Sequence, residues 1–161
     1  MPQLPKPDEP RIDAWVGKLK EIISKPNGQT YFVGHSMGNQ AIARYLNELT
    51  DEIVIGGAVF VAGFFKELTN LEDDDVVKDV VDEWLKTPID LTKTKAHLKS
   101  SIAIFSDDDP YVPLDNKDDF ANILNSEVLI EHNQGHFSGS TGTMELPIAL
   151  DAVLQIAGEK Q

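Results

Sequence analysis

The sequence has no cysteine in its 161 residues. That excludes disulfides, a thiolate nucleophile and zinc–thiolate centres, and it fits a cytoplasmic protein. Basic residues are scarce: 14 Lys and Arg stand against 27 Asp and Glu, a formal net charge of −13. Phosphate contacts need clustered Lys and Arg, so nucleic acid is not an expected partner. An anionic membrane surface is disfavoured on the same grounds. No run approaches the roughly 20 apolar residues of a bilayer span. The opening MPQLPKPDEPR has no apolar core behind a basic start and does not read as a secretory signal.

What is present is ordinary for a globular chain. Apolar residues make up 41% and charged residues 25%. A chain of this length can bury about two-thirds of its unfolded surface around one core, so one domain over residues 1–161 is expected. There is no internal repeat, low-complexity segment or linker.

The four prolines at 2, 5, 7 and 10 predict an extended lead-in. Ile12, Trp15, Val16, Leu19, Ile22 and Ile23 then recur at helical spacing, and KPNG stops the run. QTYFVG predicts a short buried strand. MGNQAIARYLNEL predicts a helix with Ala41, Ile42, Tyr45 and Leu49 on one face. EIVIGGAVFVAGF is apolar almost throughout, as a strand covered on both faces would be. DDDVVKDVVDEWLK predicts a helix with Val76, Val77, Val80, Val81 and Trp84 on one side. KSSIAIFS predicts a strand, PLDNKDDFANIL a helix and SEVLIEH a fourth strand. A last helix from about Met144 would turn Leu146, Leu150, Val153 and Leu154 inward. Strands alternating with helices predict a three-layer α/β/α sandwich around a mostly parallel sheet.

GHSMG, residues 34–38, matches the G-x-S-x-G nucleophile elbow, and its context is the one the motif requires: strand before, amphipathic helix after. The chain must reverse within a few residues, which leaves Ser36 strained with its hydroxyl exposed above the sheet. Gly34 and Gly38 are expected to relieve side-chain clashes in so tight a corner. The backbone N–H of Met37, at the start of the helix, would point at a developing oxyanion.

A serine nucleophile needs a base, and the base an orienting acid, in the chain order Ser, Asp or Glu, His. Of the four histidines, His35, His97, His132 and His136, only the last two follow a strand-end acid. His136 lies in NQGHFSG, a loop from which an imidazole can swing over the end of the sheet. His132 ends the strand itself and is expected to make an ordinary edge contact. For the acid, the strand SIAIFS is followed by Asp107, Asp108 and Asp109. A turn that favours aspartate accounts for two of them. Asp109 precedes Pro110, which biases its conformation and directs the chain's exit, so it is preferred, with Asp108 the runner-up. No cofactor or metal is expected, since the histidines and carboxylates that could gather there already have roles.

With these residues in view, the chain resembles the α/β-hydrolase superfamily. Within it, the chain resembles the small YdeN-like serine hydrolases, related to retinoblastoma-binding serine hydrolase. PRIDAWVGKLKE, YFVGHSMGNQAIARYL, GGAVFVAGF, SDDDPYVP and NQGHF carry the resemblance, from about residue 7 to the C-terminus. It implies Ser36 as nucleophile, Asp109 as triad acid and His136 as base. It further implies a hydrolase with little or no lid, acting on small ester or related acyl substrates.

The departure from that pattern is at the start. Met1 falls where the family's second strand would be ending, so a first βαβ unit of roughly 35 residues is expected to be absent. The resemblance implies that this unit supplies the second oxyanion donor and the strand beside TYFV. Without it, Tyr31, Phe32 and Val33 would form an exposed apolar edge open to a protein partner or to self-association. A non-catalytic interaction module on the same scaffold is the alternative expectation.

Overall fold

The computed structural model describes residues 2–158. The expectation placed on Met1, and the last three residues of the expected domain, lie outside them. Four strands form one all-parallel sheet in the order β1-β2-β3-β4: β1 (Tyr31–His35), β2 (Gly57–Val61), β3 (Ser101–Ser106) and β4 (Glu127–Glu131). Parallel pairing needs a crossover between successive strands, and helices supply it. They are α1 (Ile12–Ile22), α2 (Met37–Asn47), α3 (Asp75–Lys86), α4 (Leu91–Ala96), α5 (Lys117–Asn122) and α6 (Pro147–Ala157).

The period of two along the strands divides the interior into two layers. Phe32, Ala58, Phe60, Ala103 and Phe105 face one way and pack with Val16, Leu19, Tyr45, Trp84 and Phe120. Val59, Val61, Ile102 and Ile104 face the other way and meet Phe137 and Ala152. Both faces of the two central strands are covered, so β2 and β3 are buried at every position. The outer strands are not. Val33 of β1 is 56% exposed, and Ile130 of β4 is exposed as well.

The proline-spaced lead-in is tied down rather than loose: Trp15 Nε1 donates to Pro5 O at 2.8 Å and Trp84 Nε1 to Pro10 O at 2.9 Å. Arg11 then pairs with Glu9, Asp79 and Glu83, joining the lead-in to α3.

Several boundaries differ from expectation. In α3 only Val80, Val81 and Trp84 are buried, and Val76 is exposed. Val76 lies in the first turn, where Asp74 caps the amides of Val76 and Val77, before the helix has closed on the core. The last helix begins at Pro147 rather than Met144, with proline in the first turn. Ala152 is its buried contact, and Leu150 points to solvent. The segment PLDNKDDFANIL divides into a 3₁₀ turn, Leu114–Asn116, and the short α5. Helix α4 was not expected. Its LTKTKA is polar and too short for a periodicity, and its one signal is the cap in which Asp90 accepts from Lys93 N.

Candidate active site

Ser36 stands between β1 and α2 with φ 52° and ψ −124°, a left-handed region that a residue with a side chain seldom adopts. Neighbouring hydrogen bonds hold it there. Ser36 N donates to Val61 O at 3.0 Å, and Asn39 N donates back to Ser36 O at 3.0 Å. The buried Asn39 amide also donates to Val61 O, at 2.7 Å. Strain fixed in this way is characteristic of functional corners. Met37 is the first residue of α2, where a helix's N–H groups have no intrahelical acceptor.

The two elbow glycines are not equivalent. A Cβ on Gly34 would lie 2.4 Å from Asn39 Oδ1 and 2.8 Å from Ile42 Cδ1, so strand and helix pass too closely for any side chain. A Cβ on Gly38 would meet nothing within 4 Å. The expectation of a clash at Gly38 is therefore corrected. That side of α2 faces a groove of about 1010 Å³ along the outer edge of β1, walled by α1 and the lead-in.

Asp109 and His136 meet at the same end of the sheet. His136 Nδ1 lies 2.8 Å from Asp109 Oδ2, with side-chain exposures of 12% and 2%. The other carboxylate oxygen, Oδ1, accepts from Tyr111 N at 2.9 Å and Val112 N at 3.0 Å. One oxygen is thus locked to the backbone and the other presented to the imidazole. The Tyr111 ring packs edge-on against His136, 5.3 Å between centroids. Among the described residues no hydrogen bond joins the Ser36 hydroxyl to His136. Unliganded sites commonly hold such pairs further apart than their reacting complexes do.

Asp108 does not reach His136, and neither Asp107 nor Asp108 is merely a turn residue. Asp107 Oδ2 pairs with His132 Nδ1, and its Oδ1 accepts from Asn133 N at 3.1 Å. Asp108 Oδ1 accepts from Ser106 Oγ at 2.6 Å and Gly135 N at 2.8 Å. Three consecutive aspartates therefore hold three successive points of the loop that carries His136. That loop has positive φ at Asn133 (55°), Gly135 (54°) and Phe137 (49°), two of them residues with side chains, so it needs bracing. The His132 imidazole, followed by the Asn133 amide, keeps the Asp107 carboxyl below its usual range. The Ser106 hydroxyl, then the Gly135 amide, does the same for Asp108, and Asp107 raises His132. The run of acids after β3 was visible in sequence; which amide each one meets was not.

The remaining histidines separate by location. His97 is buried, with Nδ1 2.7 Å from Ile53 O, away from the site. His35 is part of the elbow, its Nε2 2.7 Å from His136 O. His132 and His136 are four residues apart, a spacing that on a helix would place two ligands on one face, but they sit on a loop and their Nδ1 atoms go to different aspartates. Among the described residues no group of three or more His, Asp or Glu could hold a metal ion, and no helix is long and apolar enough to cross a membrane.

Comparison with known proteins agrees with this architecture. The YdeN protein of Bacillus subtilis (strain 168) is 31% identical over 150 residues, covering 93% of this chain and 75% of YdeN. The crystal structure of the B. subtilis ydeN gene product superposes with a TM-score of 0.86 at 29% identity, over 98% of this chain and 81% of that one. A carboxylesterase of the thaumarchaeon Nitrososphaera gargenis shares the fold, with a TM-score of 0.66 at 13% identity, over 96% and 75% of the two chains. The family model described as serine hydrolase matches residues 3–155. The chain thus belongs to the serine hydrolase family and has the α/β-hydrolase fold.

Proposed function

We propose that the protein cleaves small carboxylic esters or related acyl bonds through Ser36, His136 and Asp109, by way of an acyl-enzyme. The observation that carries this reading is one juxtaposition. A serine strained at φ 52° stands at the sheet end where a buried aspartate holds a histidine at 2.8 Å. His136 Nε2 takes the Ser36 proton as Oγ attacks the acyl carbon. The carbonyl oxygen, now negative, is met by the N–H of Met37. Collapse expels the alcohol, which leaves with the proton held on His136. A water then attacks the acyl-enzyme, gives its proton to His136, and the carboxylic acid departs as Ser36 recovers its hydrogen. Asp109 stays ionised throughout, holding the Nδ1–H tautomer and stabilising the imidazolium. This chemistry uses no cofactor.

A fluorophosphonate probe should label the wild-type protein and not Ser36→Ala. Equal labelling of the two would overturn the assignment of Ser36. The open outer edge of β1 favours a second reading, a scaffold that binds a protein or a second copy of itself and performs no catalysis. That reading predicts neither labelling nor ester turnover, with a stable complex on size exclusion.

A further inference from the structure

His35 occupies the variable position of Gly-x-Ser at the end of β1, where its backbone is paired with Val61 of β2. Its Nε2 donates to the His136 carbonyl oxygen at 2.7 Å, and the two rings are in contact at 4.8 Å between centroids. A carbonyl oxygen only accepts, so the proton of a neutral His35 resides on Nε2. Among the described residues this is the one hydrogen bond between the elbow, residues 34–38, and the loop 132–138. The aspartates after β3 anchor that loop to the far strands but not to Ser36.

Resting on the triad reading above, we infer that His35 is a positioning residue. Its Nε2–H, carried on the end of β1 one residue before the nucleophile, sets where the His136 base stands relative to Ser36. The leverage is geometric. The donor's backbone is contiguous with the serine, the acceptor is the base's own backbone, and the path between them is a single bond. Desolvation against the surrounding protein lowers the affinity of His35 for a proton, although its outer edge meets solvent. A neutral His35 avoids a second positive charge beside the imidazolium that forms on His136.

His35→Leu removes the donor, whereas His35→Gln places an amide N–H near the position of Nε2. With a short-chain nitrophenyl ester as substrate, His35→Leu should lower kcat by about ten- to a hundred-fold with KM little changed, as expected for a misplaced base. His35→Gln should restore most of the loss. Wild-type kcat in His35→Leu, or equal loss in both variants, would overturn the inference. So would a loss of kcat that simply follows a fall in Tm.

A parallel readout needs no turnover. In imidazole NMR both variants lose the ring current of His35, so the readout is exchange: the Nδ1–H of His136 should stay sharp in wild type and His35→Gln and broaden in His35→Leu. An equally sharp signal in His35→Leu would overturn the inference. Failure of the wild type to turn over ester or take the probe would instead refute the hydrolase reading, and the NMR comparison would still decide the role of His35.

Discussion

Asp107 and His132 face each other across the ends of β3 and β4, Oδ2 against Nδ1, two residues before Asp109 and four before His136 in the same pair of segments. This outer pair repeats the carboxylate–imidazole contact of the inner one. It is exposed where Asp109–His136 is buried, which separates a brace from a candidate catalytic pair.

The outer pair makes stability pH-dependent. His132 is raised above its ordinary 6.5, so its contribution is complete below that value and lost as pH rises through the raised one. Asp107 is lowered from 3.8, so its contribution is present above that value and lost as pH falls through the lowered one. The brace is strongest between 3.8 and 6.5. Thermal melts of wild type and His132→Asn should differ most in that window and converge at higher pH. A difference independent of pH would exclude a charged pair.

Asp109→Asn should lower kcat by about four orders of magnitude, because the amide no longer holds the required imidazole tautomer. Asp108→Asn should cost at most about a hundred-fold, through a displaced loop. Steady-state assay of the two variants tests the ranking, and a larger loss in Asp108→Asn would reverse the choice of acid.

Gly34→Ala forces a methyl against Asn39 and Ile42 and should destabilise the fold by about 1–3 kcal/mol in denaturant unfolding. Gly38→Ala, with open space at the same depth of the elbow, should be neutral or slightly stabilising in the same experiment.

Val33→Lys places a charge on the outer edge of β1, where Val33 is already 56% exposed. Lysine on an edge strand opposes pairing with another chain. Light scattering at rising protein concentration should show less self-association than wild type, with stability changed by no more than about 0.5 kcal/mol.

Local patterns made much of the molecule legible before its structure. The apolar runs of β2 and β3 read as buried strands because both of their faces are covered. GHSMG read as a strand-to-helix corner because a β-rich apolar run precedes it and an amphipathic helical pattern follows it. Asp109 and His136 were each expected in a loop after a parallel strand, and these two side chains do meet. Where local signals were weak or ambiguous, expectation departed from the fold. LTKTKA is too short for a periodicity, Val76 and Leu150 lie on helix flanks where spacing alone overstates burial, and Gly38 looked equivalent to Gly34.

Tertiary structure decided the rest, because it depends on which segments come to lie side by side. The sequence determined that three aspartates follow β3 and that a glycine-bearing loop with two histidines follows β4. Only the parallel pairing of β3 with β4 places those two loops together, so that Asp107 meets His132, Asp108 meets Gly135 and Asp109 meets His136. Only the pairing of β1 with β2, and of β2 with β3, brings His35 to the His136 carbonyl across 101 residues of chain. Hydrogen bonds of that reach depend on register between strands, and strand register is set by packing throughout the sheet rather than by any short motif.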